Sequence, residues 1–122
     1  MPIRAEWDND DKTIVVWTFE GHWTWDDYRN TQLESIAMMN TVEHAVDVIA
    51  DVTHANLLPS NAFSNYKRLA ALAAPNRRRV VVITGNFFMK TMTETYNKLF
   101  GETAFIFANS LDEAREILAR DS

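Results

Sequence analysis

The sequence predicts a single α/β domain, spanning residues 1–122, with a mostly parallel five-stranded sheet. Three observations lead to this class. The chain has 122 residues, of which 47% are hydrophobic, as is usual for one soluble domain. Short β-branched and aromatic runs alternate with stretches in which apolar residues recur at helical spacing, and this alternation is typical of parallel sheets. The first two runs are separated by only a few turn residues, which favours an antiparallel hairpin.

The predicted hairpin opens the chain. Residues Ile3–Asp8 alternate apolar and polar side chains, as half-buried strands do, and a turn rich in Asn and Asp follows. The second strand, Thr13–Phe19, is apolar on both of its faces, so we expect both faces to be covered. Because large exposed apolar patches are uncommon in monomers, this strand favours a partner protein or a second copy, and hence a homodimer.

Three further strands and about four helices give the order ββαβαβαβα. The strands are predicted at Ala45–Val52, Arg79–Thr84 and Thr103–Ala108. The helices are predicted to begin near Thr24, Ser60 or Ser64, Phe87, and Ser110. Acidic residues follow Thr24 and Ser110 closely, as they do in capping boxes.

Composition excludes several classes of function. The chain has no cysteine, which rules out disulfides, thiolate nucleophiles and cysteine-based metal sites. Its net charge of −5 makes it a poor binder of nucleic acid or anionic membrane. No phosphate-binding loop or dinucleotide motif occurs, and the three histidines share no helical spacing, so we expect no cofactor and no metal. No apolar run is long enough to span a membrane and no leader is recognisable, which favours the cytoplasm.

Two segments share an arrangement with a known family. Phe19–Asn30 (FEGHWTWDDYRN) is a strand end, a glycine, and an acidic and aromatic helix start. Val48–Phe63 (VIADVTHANLLPSNAF) is a strand that ends in Asp51, a loop, and a serine at a helix start. In these segments the chain resembles the STAS domains of anti-sigma-factor antagonists and sulfate transporters, and more so their SpoIIAA-like branch. The resemblance extends over Thr13–Ala119 and implies a non-catalytic regulatory module.

The resemblance also implies a candidate phosphorylation site at Ser60. Pro59 stands where STAS antagonists carry an aspartate, and Asn61 and Ala62 replace a small, glycine-containing stretch. The amides at a helix N-terminus would stabilise an added phosphate. The alternative is that Ser60 is a plain helix N-cap.

Asp51 and His54 follow a parallel strand, at the sheet edge where open α/β folds bind ligands. Asp51 could orient the imidazole of His54 as a general base, which is a weakly supported enzyme hypothesis. The alternative is a polar loop network.

Aromatic residues are expected at the same edge, namely Trp23, Trp25, Phe63 and Phe87. They would form the surface for a partner protein or for a small apolar, lipid-like ligand, and the alternative is ordinary core packing. We therefore expect a regulatory or protein-interaction module, and alternatively a carrier or sensor of such a ligand. The basic run Asn76–Arg79 is expected to be a solvated turn at the opposite end of the sheet, able to pair with acidic residues of another subunit.

Overall fold

The structure is a computed structural model, and it describes residues 2–55, 61, 64–65, 68–69, 72–85, 91, 94–95, 98 and 105–120. The strands and helices of this part of the chain have the following bounds: β1 Ile3–Trp7, β2 Ile14–Gly21, α1 Trp25–Met39, β3 Val46–Ala55, β4 Arg77–Ile83, β5 Phe105–Ala108 and α2 Leu111–Arg120.

The five strands form one sheet in the order β1-β2-β3-β4-β5. β1 pairs antiparallel with β2, and the other neighbours pair parallel, which confirms the predicted hairpin and the mostly parallel sheet. Asn9 closes the hairpin loop: its Oδ1 accepts from the Thr13 amide at 3.0 Å, and its Nδ2 donates to the Thr13 hydroxyl at 2.7 Å. The turn therefore forms where Asn and Asp cluster in the sequence.

β3 and β4 differ from the predicted ranges. β3 continues beyond Val52 to Ala55, because its last residues pair with the end of β2 after an irregularity in register. β4 begins at Arg77 instead of Arg79, because Arg77 pairs with Val46. Of the basic run, Asn76 therefore lies in a turn, whereas the three arginines begin β4.

Both helices begin at the predicted caps. The Thr24 hydroxyl accepts from the Asp27 amide at 3.1 Å, while the Asp27 carboxylate accepts from the Thr24 amide at 2.9 Å. These reciprocal bonds satisfy two amides that a helix start leaves open. At α2 the Ser110 hydroxyl accepts from the Glu113 amide at 3.1 Å.

The described residues contain two helices instead of about four. The other two predicted helices cover 60–74 and 87–100, and much of both ranges lies outside the described residues. The described part of those ranges includes helical backbone, for example at Ser64 and Asn65.

β2 is buried on both faces, as its pattern predicts. Trp17 and Phe19 on one face pack into a core with Tyr28 of α1. Val16 on the other face shares a core with Leu118 of α2. The chain's own helices thus cover both faces, so the apolar character of β2 gives no argument for a homodimer. No helix in the described part of the chain is long and apolar enough to cross a membrane.

Candidate functional site

The predicted ligand surface contains an aromatic cluster formed by Trp17, Phe19, Trp23, Trp25 and Tyr28. Trp23 is its centre: its ring centroid lies 5.2 Å from that of Phe19 and 4.9 Å from that of Trp25, both in edge-to-face geometry. Trp17 meets Tyr28 in the same way at 5.1 Å. Such contacts add to the free energy gained by burying the rings.

Most of this cluster is core. Trp23 is 5% exposed, and Trp25 is partly buried against the same core. The Trp17 indole N–H donates to the buried Ser35 hydroxyl at 3.2 Å. The Trp23 indole N–H is also buried but has no hydrogen-bond partner within the described residues. The aromatic side chains thus fill space between α1 and the sheet, and Trp25 and Tyr28 are the partly exposed members.

Asp51 and His54 both lie within β3 and not in a loop after it. The Asp51 carboxylate accepts from the Thr53 amide at 3.0 Å, while His54 is exposed and stands beside Glu20 of β2. No hydrogen bond between Asp51 and His54 is present in the described part of the structure. Asp51 therefore does not orient the His54 imidazole. The two side chains form part of a polar surface.

A bulge determines which face His54 joins. β2 and β3 pair Thr18 with Asp51 and then Glu20 with His54, so β3 carries one residue more than β2 over this stretch. Without the extra residue Asp51 and His54 would face opposite sides, because side chains alternate along a strand. The bulge instead places His54 on the same side as Asp51, which is the side opposite to Trp23.

The result is a polar patch on one side of the sheet, which we call the open face: Thr18, Glu20, Asp51 and His54. Glu20 and His54 are exposed, and the other two are half-buried. α2 packs on this side of the sheet, but it contacts β3, β4 and β5 and ends beside the hairpin loop, where Arg115 reaches Asp8. On this side Glu20 and His54, at the carboxyl ends of β2 and β3, are exposed.

Three sequence-predicted site residues, Ser60, Phe63 and Phe87, lie outside the described residues. Their proposed roles stay predictions. The described residues contain no group of three or more His, Cys, Asp or Glu side chains that could hold a metal ion.

Sequence analysis missed a charged cluster at the amino ends of the parallel strands. The buried Asp47 carboxylate accepts from Arg78 Nε at 3.0 Å and from Arg78 Nη2 at 2.7 Å. It also accepts from the Arg79 amide at 3.0 Å. Arg79 in turn donates to the Leu118 carbonyl at 3.0 Å, near the end of α2. A cation at this position satisfies an open carbonyl and suits the helix dipole.

The Asp47 cluster corrects the prediction that these arginines are solvated and available to another subunit. Burial raises the pKa of the Asp47 carboxyl, but hydrogen bonds from Arg78 and Arg79 and their positive charges outweigh it, so the pKa is below its usual value. The signal that could have revealed the cluster is Asp47, an aspartate between two valines at the buried start of β3. A buried carboxylate requires a cationic partner, and the arginine run was available for it.

A second pair closes the same end of the molecule. Arg115 of α2 donates to Asp8 through Nε at 2.9 Å and Nη2 at 2.6 Å, which raises the pKa of the guanidinium. An open pocket of about 520 Å³ lies between the two pairs, and His44 and Ile14 contribute to its walls. The Asp47 and Asp8 carboxylates each already bind an arginine guanidinium. The two ion pairs therefore connect α2 to the amino end of the sheet and to the hairpin.

Comparison with solved structures identifies the architecture. A crystal structure of an uncharacterized protein of the DUF3478 family from Shewanella loihica PV-4, described as having a SpoIIAA-like fold, matches with a TM-score of 0.68. The match covers 95% of this chain and 91% of that chain, at 18% sequence identity. The chain has a SpoIIAA-like fold. The expected resemblance is confirmed at this level, and at such identity the likeness shows the fold alone.

No family model and no curated protein matches the sequence. Within the SpoIIAA-like fold, the open face adjoins the end of β3, and the segment with Ser60 follows that strand. The fold neighbour is itself uncharacterized, so it indicates no function for the open face.

Proposed function

We propose that this chain is a non-catalytic interaction module that binds a partner protein through the open face. The observation that carries the proposal is the exposure of Glu20 and His54 on neighbouring parallel strands. Parallel strands are normally buried on both faces. Here the carboxyl ends of β2 and β3 carry exposed charged and polar side chains on one face.

The shape of this face favours a macromolecule over a small ligand. Small ligands bind in concave sites that bury most of their surface. The open face consists of side chains that stand on two neighbouring strands, which is a flat arrangement. Flat, polar surfaces of this kind are used by protein partners, whose contacts cover a wide area.

The charge of the open face indicates what the partner presents. Glu20 and Asp51 are carboxylates, and of the two only Glu20 contacts a cation within the described residues, the exposed Arg4 of β1 at 3.4 Å. A complementary partner surface would therefore carry Lys or Arg together with hydrogen-bond donors. Complementary charge increases association rate and specificity more than affinity.

Site-specific photocrosslinking in cells that naturally express the protein tests this proposal. A photoreactive amino acid replaces His54 in one variant and Glu116, exposed on α2, in the control variant. We expect a discrete crosslinked product with a protein of different mass from position 54 and none from position 116. Equal products from both positions, or a product from position 116 alone, would refute the proposed surface.

A matched charge variant sharpens the same experiment. With the photoreactive residue at position 54, Glu20→Lys reverses the charge beside it, and Glu116→Lys makes the same change on α2. We expect Glu20→Lys to lower the crosslinking yield strongly and Glu116→Lys to leave it unchanged. An unchanged yield in both variants would mean that the open face does not recognise its partner by charge.

A small apolar ligand is a second candidate, supported by the buried Trp23 indole N–H, which has no acceptor among the described residues. A ligand with a carbonyl or carboxylate next to an apolar body would supply that acceptor. Titration with a medium-chain fatty acid should then change tryptophan fluorescence and raise Tm. Unchanged values across the titration count against such a carrier role.

The enzyme hypothesis has the weakest support, because Asp51 binds the Thr53 amide and not the His54 imidazole. It predicts a measurable turnover that His54→Ala abolishes without changing the fold. Retention of any detected activity in His54→Ala would reject a role for this histidine.

A further inference from the structure

β1 is the terminal strand of the sheet, and its outer edge has a defined set of backbone groups. The Asp8 amide donates to the Ile14 carbonyl at 2.9 Å, and the Glu20 amide donates to the Pro2 carbonyl at 2.8 Å. In an antiparallel pair, hydrogen-bonded residues alternate with non-bonded ones. Positions 2, 4, 6 and 8 therefore bond inward to β2, and the backbone groups of Ile3, Ala5 and Trp7 point outward.

This edge lacks most of the usual protections against pairing. The β1–β2 register contains no bulge, and Pro2 precedes the strand instead of interrupting it. Within the described residues, no other element hydrogen-bonds to the outward groups of Ile3, Ala5 and Trp7. Proteins normally block such an edge with bulges, prolines, charged side chains or covering segments, and of these β1 carries the charges of Arg4 and Glu6.

The side chains of β1 are complementary to themselves. Arg4 and Glu6 are exposed, have opposite charges, and flank Ala5 symmetrically. If two β1 strands run antiparallel with Ala5 at the centre, Arg4 of each copy stands opposite Glu6 of the other. Ile3 then stands opposite the half-buried Trp7 on the apolar side.

We propose that two copies of this chain join edge to edge through antiparallel pairing of β1 centred on Ala5, which gives one continuous sheet. The direction of the free backbone groups agrees with this register. Ala5 pairs with Ala5, and Ile3 with Trp7, as residues whose outward groups exchange backbone hydrogen bonds. Arg4 and Glu6 then form the non-hydrogen-bonded pairs, in which side chains approach most closely.

The charges also select this register over its neighbours. The register of the two β1 strands can change only in steps of two residues. A shift by one residue would place outward-pointing backbone groups opposite inward-pointing ones, and the hydrogen bonds would be lost. One such shift places Arg4 opposite Arg4, and the other places Glu6 opposite Glu6. Both are like-charge pairs directly opposite each other, which destabilise a sheet. The Ala5-centred register is thus the only one of the three with complementary charges.

This pairing is independent of the proposed function. It uses the outer edge of β1, whereas the proposed partner surface lies on β2 and β3. The two proposals can therefore fail separately, because the crosslinked partner differs in mass from this chain and the edge dimer does not.

Sedimentation velocity over a wide concentration range tests the pairing with charge variants. We expect the wild type to dimerise reversibly, and Arg4→Glu and Glu6→Arg each to weaken the dimer about tenfold or more. The double variant R4E/E6R restores complementarity and should recover the dimer. An equimolar mixture of the two single variants should form a heterodimer, because each supplies the charge that the other lacks.

Two controls separate the interface from the fold. Arg4 also contacts Glu20 within the chain at 3.4 Å, so Glu20→Gln removes that contact and should leave dimerisation unchanged. Circular dichroism and Tm show whether each variant is folded. Ala5→Cys supplies a second measurement, since the chain has no cysteine and a central hydrogen-bonded pair has a Cα separation of about 5.5 Å, suited to a disulfide.

The expected outcome is a rapidly oxidised dimer for Ala5→Cys and none for the control Glu116→Cys. A wild type that is monomeric at all concentrations overturns the proposal. So does a dimer that Arg4→Glu and Glu6→Arg leave unchanged. If either single variant fails to fold, the double variant and the Ala5→Cys crosslink decide the question.

Discussion

Replacing Asp47 with alanine tests the charged cluster that connects the sheet to α2. The carboxylate is 5% exposed and accepts three hydrogen bonds, two from the Arg78 guanidinium and one from the Arg79 amide. Its removal leaves that amide without its acceptor and takes away the carboxylate oxygen that lies 3.6 Å from the Arg79 guanidinium. The Arg79 contact to the Leu118 carbonyl also loses the charge that positions it.

The magnitude follows from burial. Removing one partner of a fully buried ion pair costs about 3–5 kcal/mol. Arg78 is 39% exposed and can regain water, so the lower end applies, and we expect a loss of about 3 kcal/mol in the free energy of unfolding. For a domain of this size that corresponds to a fall in Tm of about 10 °C.

Urea unfolding followed by circular dichroism measures this change, and Asp8→Ala is the matched control. Asp8 also accepts two hydrogen bonds from an arginine, but within the described residues it accepts from no backbone amide and contacts no second guanidinium, so the expected loss is only about 1 kcal/mol. The reasoning is refuted if the two variants lose equal stability, or if Asp47→Ala is as stable as the wild type.

The pH dependence supplies an independent check on Asp47. Its pKa is lowered below the ordinary value of 3.8, so the folded state favours the carboxylate. The stabilisation is complete above pH 3.8 and is lost as the pH falls through the lower, folded pKa. The stability difference between wild type and Asp47→Ala should therefore shrink in acid. A difference that is constant with pH would show that ionisation of Asp47 does not contribute.

Three further substitutions test packing and capping, each by urea unfolding. Ser35→Ala should cost about 1–2 kcal/mol, because the buried Trp17 indole N–H loses its acceptor, and no loss would contradict that bond. Thr24→Ala should cost about 1 kcal/mol by removing the N-cap of α1, with no loss meaning that the cap is not formed. Leu118→Ala should cost about 3 kcal/mol, and retained stability would contradict the packing of α2 on the sheet.

Local features of the fold were readable from the sequence. The Asn9 turn and the Thr24 and Ser110 caps depend on hydrogen bonds between residues three or four apart, so their residue types identify them. The two apolar faces of β2 were equally clear. The pattern could not show whether this chain or another one covers the second face of β2. The residue that covers it, Leu118, lies far from β2 in the sequence.

The candidate site was less predictable, because its geometry depends on non-local pairing. Trp23 has the same side chain whether it lines a pocket or fills a core, and only the position of α1 decides between them. His54 reaches the same side as Asp51 through a bulge that β2 imposes on β3. Asp47 and the arginines are visible in the sequence, but only the pairing of β3 with β4 shows that they meet.

The central claim is that this chain acts by binding protein and not by holding a small molecule. Native mass spectrometry of the protein, isolated gently from cells that express it, tests this most directly. We predict assemblies whose masses equal this chain plus protein, either a second copy or a partner, with no small-molecule mass remaining. A chain that carries a small additional mass, which is released on denaturation while no protein assembly is detected, would contradict the claim and support the ligand carrier.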